Sequence, residues 1–359
     1  MEPVTHFLTG ACLGRAGLNR KTAYATLAMT LAAEAPDLDV LWGLRGPVAG
    51  MEHHRGLSHT LLGAPFVALA VTGAVWLLDR WIFRRRGRGP NEQPVRWLLV
   101  WLFSWIAVLS HILLDWTNNY GVRPFFPFNP RWYSLDIVFI FEPVLFAVLL
   151  AALIMPGLLG MADREIGAKR QPFRGRGWAI AALLIAVALW GLRWSEHRQA
   201  LRLTADAQAE GEPAIRIAAE PYPINPFHWL LVVETRNSYL LGSANTLVGR
   251  VDLGDESNRI FKPPVTPAVA AAKQSWLGRV YLDWAGFPVV TDLGPAGLTS
   301  AGGQAPNARD SVVEFRDLRF AYPTLLQGQS KNNSPLNAWV YVTPEGAIDA
   351  MAVGHRLQK

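Results

Sequence analysis

The stretch "WLLVWLFSWIAVLSHILLD", residues 97–115, decides how the rest of the chain is read. From Trp97 to Leu114 its polar positions are Ser104, Ser110 and His111. At about 1.5 Å per residue such a run is long enough to cross hydrocarbon as a helix. Thr60–Phe83, Ile137–Gly160 and Trp178–Trp194 are apolar runs of similar length, so four membrane spans are expected. Composition agrees, because 51% hydrophobic and 17% charged residues in a 359-residue chain is more apolar than a soluble domain. One cysteine, Cys12, excludes an internal disulfide framework. The N-terminal residues, with Glu2 and His6, lack a basic segment followed by a small-residue cleavage site, and no removable signal peptide is expected.

The net charge is +6, and its placement orients the spans. Arg84, Arg85, Arg86 and Arg88, backed by Arg80 near the end of the first run and by Arg96, lie between the first two runs, and Arg164, Lys169, Arg170, Arg174 and Arg176 between the last two. In a four-span layout both loops fall on one side, which the positive-inside rule makes cytoplasmic. The loop Asp115–Asp136 and everything after Trp194 then face outward. The same rule accounts for the basic loops without a nucleic-acid partner, and none is expected. Upstream, residues 7–39 read as two short helices broken at Gly14–Lys21, a shallow or re-entrant hairpin whose ends, His6 and Asp37/Asp39, meet at the outer face.

Downstream, "SEHRQALRLTADAQAEGEP" is polar and helix-prone, a juxtamembrane linker. Beyond it "HWLLVVET", "SYLLGSANTLVGRVDL", "RVYLDWAGFPVV", "SVVEFRDLRFAY" and "AWVYVTPEGAIDAMAVG" read as short strands, with "TPEG" a hairpin tip and "TPAVAAAKQSW" a helix. The expected architecture is an α-helical multi-pass membrane domain over residues 1–194, a linker over 195–214 and a β-rich extracytoplasmic domain over 215–359. The localisation that follows is the cytoplasmic (inner) membrane of a bacterium, with the lipid bilayer as a partner.

Polar chemistry gathers at one end of this layout. "HHRGLSHT" places His53, His54 and His59 before the first run, and His111 and Asp115, four apart, share one helix face. Asp37 and Asp39 follow Pro36 in what should be extended backbone, pointing the same way. Asp136 and Glu142 bracket the start of the third run, where a carboxylate inside an apolar segment is costly and points to function. Imidazoles with carboxylates suit zinc, with manganese or iron as alternatives, better than magnesium or calcium. The candidate ligands are His6, Asp37, Asp39, the imidazoles of His53, His54 and His59, His111 and Asp115, for one or two divalent ions.

"APDLD", "HHRGLSHT" and "LSHILLDWTNNYGVRPFFPF" resemble the three signatures of the YdjM-like family of predicted inner-membrane metal-dependent hydrolases, and "RWYSLDIVFIFEP" resembles the acidic segment that follows in its longer members. The resemblance covers roughly residues 1–145 and implies Asp37, Asp39, His54, His59, His111, Asp115, Asp136 and Glu142 as site residues. His53 is an addition to the pattern, and Ser58 stands where threonine is common. The chemistry that such a metal site would supply is hydrolysis of a membrane-associated ester, with a phosphoester preferred, by metal-activated water. Glu142, Asp39 or Asp136 would handle the proton, and Arg55 and Arg123 would pair an anionic substrate. A non-catalytic scaffold stapled by metal, and a metal-ion transporter or sensor, are the alternatives; the oligomeric state stays open. Transport needs ionisable groups through the membrane depth, whereas the path to His111 offers only Ser104 and Ser110.

Overall fold

A computed structural model describes residues 1–83, 93–165, 175–207, 212–254, 258–298, 306–322, 336–354 and 356–359. Arg84, Arg85, Arg86, Arg88, Lys169, Arg170 and Arg174 of the basic loops lie outside the described residues. Among those described, Ala64–Ile82, Trp97–Thr117, Pro143–Met161 and Arg176–Asp206 are helices long and apolar enough to cross a membrane. The chain divides into two compact units, one of residues 1–39, 55–197 and 221–226, the other of residues 40–54, 198–220 and 227–359.

In the first unit α1 (Pro3–Arg15) and α2 (Ala25–Glu34) form the short-helix hairpin expected at the N-terminus. At about 1.5 Å per residue neither reaches the roughly 30 Å of a hydrocarbon core. Gly10 and Gly14, in "GACLG", sit on one face of α1 and let the helix backbones touch, for a Cβ at Gly14 would come within 2.6 Å of Thr26 Cα. His6 lies one turn earlier on the same face. Ala28, Met29 and Ala32 of α2 pack with Ala64, Ala68 and Val71 of α4 (Ala64–Leu78) and with Phe103, Ala107 and Val108 of α5 (Trp97–Thr117). Leu8 and Cys12 of α1 face Leu145 and Leu149 of α6 (Pro143–Glu165) and Ala182 of α7 (Arg176–Ala207). The hairpin turn meets the segment before α5, where the Arg96 N–H donates to Thr22 Oγ1 at 2.8 Å. His111 and Asp115 therefore stand at the opposite end of α5.

The third span starts later than the apolar run does. The Ile137 and Val138 N–H groups both bond to the Thr117 carbonyl at 3.1 Å, folding that segment back on the end of α5. Pro143, whose fixed φ and missing N–H suit the first turn of a helix, then opens α6. Glu142 is accordingly not inside the span but just ahead of it, with its carbonyl accepting the Phe146 N–H at 3.0 Å. Its carboxylate is fully buried and accepts from Arg193 Nη2 of α7 at 2.6 Å, while Arg193 Nη1 donates to the Tyr222 carbonyl at 3.1 Å.

The second unit holds two sheets. Strands β1 (Arg216–Pro221), β2 (His228–Glu234), β3 (Ser238–Asn245) and β4 (Arg250–Asp252) lie in that order, with β5 (Arg259–Phe261) also pairing β3. After the helices α8 (Pro267–Gln274) and α9 (Trp276–Trp284) come β6 (Pro288–Pro295), β7 (Ser311–Asp317), β8 (Ala338–Val342), β9 (Ile348–Val353) and β10 (Arg356–Gln358), an antiparallel meander. "TPEG" turns β8 into β9 as expected, the Gly346 N–H reaching the Thr343 carbonyl at 2.9 Å. "RVYLDW", expected as strand, is helix: Ser275 Oγ caps the Gly278 N–H at 3.0 Å, and Leu277, Tyr281 and Trp284 recur at helical spacing on the buried face. Residues 40–54 pack here too, through α3 (Pro47–His53), where Trp276 Nε1 donates to Glu52 at 3.1 Å and Arg356 to the Gly43 carbonyl at 2.9 Å.

The buried Glu142–Arg193 pair sets a stability test. Arg193→Met leaves a carboxylate buried without its counter-charge and is expected to cost about 3–5 kcal/mol. A lowered thermal midpoint in detergent, largely recovered by adding Glu142→Gln, is the expected result, and an unchanged midpoint in the single variant would contradict it.

Candidate metal centre

Three segments of the first unit bring four side chains together: Asp37, His59, His111 and Asp115 offer one donor atom each, all within 4.8 Å of one another. His111 Nε2 and His59 Nε2 are 3.0 Å apart. Asp37 Oδ1 lies 3.2 Å from His59 Nε2 and 3.5 Å from His111 Nε2. Asp115 Oδ2, which accepts no hydrogen bond, lies 3.5 Å and 3.4 Å from the same two nitrogens. The side chains of His59, His111 and Asp115 are fully buried, and Asp37 keeps 15% exposure, so the centre opens past Asp37.

The far side of each ring fixes what the near side presents. His111 Nδ1 faces the Ala33 carbonyl at 2.7 Å. A carbonyl only accepts, so Nδ1 carries the proton and Nε2 turns a lone pair inward. His59 Nδ1 lies 3.1 Å from Asp39 Oδ2 and 3.0 Å from Ser58 Oγ, and a carboxylate likewise only accepts. With both imidazoles neutral, two nitrogens and two carboxylate oxygens converge with no donor among them. A cation resolves that repulsion, or a proton on His59 Nε2 does so in part. Burial opposes a charge on His59, yet its bonds to Asp37 and Asp39 outweigh it and raise its pKa above the usual imidazole value. Burial also acts against the Asp37 carboxylate, and the bond to His59 and the nearby rings of His111 and His6 more than offset it, holding its pKa below the usual range.

Asp37 and Asp39 do not lie on extended backbone. Residues Ala35–Arg45 form a 3-10 turn in which positions two apart point about 240° from each other. The two carboxylates consequently take His59 from opposite sides, Asp37 at Nε2 and Asp39 at Nδ1. Asp39 Oδ2 also accepts the Arg55 N–H at 2.7 Å, holding Arg55 at a left-handed φ of 54°. The Arg55 guanidinium donates to Asp115 Oδ1 at 2.7 Å and to Asn118 Oδ1 at 3.3 Å, and lies 4.6 Å over the Tyr120 ring. Asp115 Oδ1 also accepts from the Met1 ammonium.

The other expected residues are placed as follows. His6 stacks on His111 with ring centroids 3.7 Å apart and Nε2 3.4 Å from Asp115 Oδ1; neither ring nitrogen makes a hydrogen bond, and burial keeps it neutral, its pKa pushed down to about 3. His54 follows α3 in the second unit and is not among the four, and His53 there stacks on Trp42 at 4.1 Å. Arg123 lies 4.5 Å over Trp132 and 5.2 Å over Phe126. Asp136 takes a left-handed φ of 52° in the segment folded on α5, and Glu142 pairs with Arg193 instead of joining the group. Sequence reasoning missed Ser58, Asn118 and Glu34. The first two lie inside the motifs but carry no metal chemistry of their own. Glu34 ends an alanine-rich helix, and burial, then Asp37 and Glu2, push its pKa up to about 8.

Comparison with known proteins places this centre in a family. The model of the YdjM inner membrane protein matches residues 1–200, which contain all four donors and all four apolar helices up to Ala200. The chain is similar to the uncharacterized protein YfhP of Bacillus subtilis (strain 168), 24% identical over 286 residues that cover 76% of each chain. No solved structure matches it. With a match over more than half its length, the chain belongs to the YdjM inner membrane protein family.

Proposed function

We propose that this protein is a metal-dependent hydrolase of a membrane-associated ester, with a phosphoester preferred, whose centre and β-rich region face outward from the bacterial inner membrane. The observation that carries the reading is the convergence of four acceptors, two of them lone pairs fixed by the bonds at Nδ1 of each ring. Asp37, His59, His111 and Asp115 would hold one ion, zinc first and manganese or iron otherwise, since two imidazoles among the donors disfavour magnesium and calcium. A divalent ion in such a shell supplies Lewis acidity and water activation at neutral pH.

The chain's own residues do the rest. Asp39 and Ser58 hold His59 in register, the Ala33 carbonyl holds His111, and Arg55 takes one oxygen of Asp115 so that the other faces the imidazoles. Arg55 and Asp39 thereby act by positioning, while Asp37, at the open edge, meets the incoming ester. Glu34, whose pKa burial and the neighbouring Asp37 and Glu2 raise, is the group that would return a proton to a leaving group. The outward placement rests on the basic-loop asymmetry together with the position of the centre at the end of α5 far from the basic hairpin turn.

Several measurements bear on this reading. His59→Ala and His111→Ala should each release most of the metal from purified protein and abolish metal-dependent cleavage of p-nitrophenyl phosphate, while His53→Ala keeps both; equal loss from His53→Ala would contradict the assignment. Asp39→Asn, which alters only the support behind His59, should weaken metal affinity by about 10–100-fold. Because the metal-free His59 pKa is raised, ion uptake must displace a proton, so affinity should fall steadily as pH drops through neutrality, measured by competition with a chelator. A flat profile would mean that His59 does not ligate. For topology, alkaline phosphatase fused after Lys359 should be active and green fluorescent protein at the same place dark, and the reverse pattern would turn the layout over.

A further inference from the structure

Every segment that supplies a donor also turns a leucine outward. Leu38, between Asp37 and Asp39, is 61% exposed; Leu57, two before His59, is 59% exposed; Leu113, between His111 and Asp115, is 46% exposed. Leu61 and Leu62 follow His59 at 43% and 48%, and the apolar surface continues through Phe66 onto the exposed face of α4. From Leu57 to Leu78 the sequence contains no Lys, Arg, Asp or Glu. No such charge anchors the His59 loop in water, and after Thr60 the loop runs through Leu61 and Leu62 into a helix suited to hydrocarbon. An apolar fringe of this extent, continuous with a span, belongs against acyl chains.

We infer that these leucines seat in the bilayer and that the substrate is a long-chain lipid, reaching the centre from within the leaflet with its ester at the level of Asp37 and its hydrocarbon along Leu57 and Leu61. The inference rests on the hydrolase reading and narrows it. A water-soluble ester of the same head chemistry would find the donors but not the apolar contacts, and so would be the poorer substrate.

The test uses the full chain reconstituted in phosphatidylcholine vesicles. In a Cys12→Ala background, nitroxides at Leu57→Cys, Leu61→Cys and Leu113→Cys should collide with oxygen far more than with a water-soluble nickel chelate. Chelate-dominated collisions at Leu57 and Leu61 would overturn the inference whatever the activity. Next, cleavage of phosphatidic acid in the vesicles is compared with that of p-nitrophenyl phosphate in solution. The ratio should favour the lipid, and the exposed pair Leu57→Gln/Leu61→Gln should lower it by about tenfold, as expected when apolar side-chain contacts are lost. A ratio that does not move overturns the lipid assignment while leaving the hydrolase standing. Metal-loaded wild type that cleaves neither ester overturns the hydrolase and the lipid substrate with it, and the label accessibilities then report separately on where the fringe lies.

Discussion

Electrostatic repulsion among four acceptors is the constraint around which the membrane unit is arranged. Two imidazole nitrogens 3.0 Å apart, with a carboxylate oxygen on either side, form a group that a folded chain tolerates only if positive charge lies among them. The residues around it act to maintain that opposition. The Ala33 carbonyl and the Asp39 carboxylate each accept the N–H on the outer nitrogen of a ring, so that each inner nitrogen, once its ring is neutral, turns a lone pair inward. Arg55 draws one oxygen of Asp115 away and leaves the other without a hydrogen bond. Removing any of these supports gives the rings freedom to turn and the repulsion a way to relax.

The fold serves the same end by bringing distant segments to one point. The glycine-mediated contact of α1 with α2 draws His6 and the end of α2 together, so that Ala33 meets His111 from the side opposite His59. The 3-10 turn after α2 spreads Asp37 and Asp39 around the His59 ring, Asp37 at Nε2 and Asp39 at Nδ1. Asn118, just past α5, gathers the Arg55 guanidinium and the Tyr120 N–H on one side-chain oxygen, at 3.3 Å and 2.9 Å, and ties the loop beyond the helix to the centre. The Glu142–Arg193 pair lies outside this constellation and holds α6 to α7 instead.

Much of this was legible in the sequence where one residue type answers to one physical demand. Apolar runs gave the spans because only a helix satisfies its backbone in hydrocarbon, and the four-residue spacing of His111 and Asp115 gave a shared face. What stayed hidden depended on neighbours that no spacing encodes. The backbone carbonyl of Ala33 has no side chain to notice. Asp39 looked like a ligand beside Asp37 because the 3-10 turn was not foreseen. Glu142 reads as a proton-handling carboxylate inside the third run because Arg193, 51 residues on, cannot be paired with it by inspection. His54 sits in the motif, yet residues 40–54 fold with the β-rich unit, an excursion that has no signal in local composition. "RVYLDW" read as strand by its alternation, and the burial of Leu277, Tyr281 and Trp284 at helical spacing decided otherwise.

The central claim is that one divalent ion lies among these acceptors with both imidazoles bound to it. X-ray absorption at the metal edge of the purified, reconstituted protein reads that shell directly. A shell of four or five nitrogen and oxygen neighbours near 2.0–2.1 Å, with the outer scattering of two imidazole rings, is the predicted result for zinc. Metal bound with no imidazole scattering, or an oxygen-only shell, would contradict it.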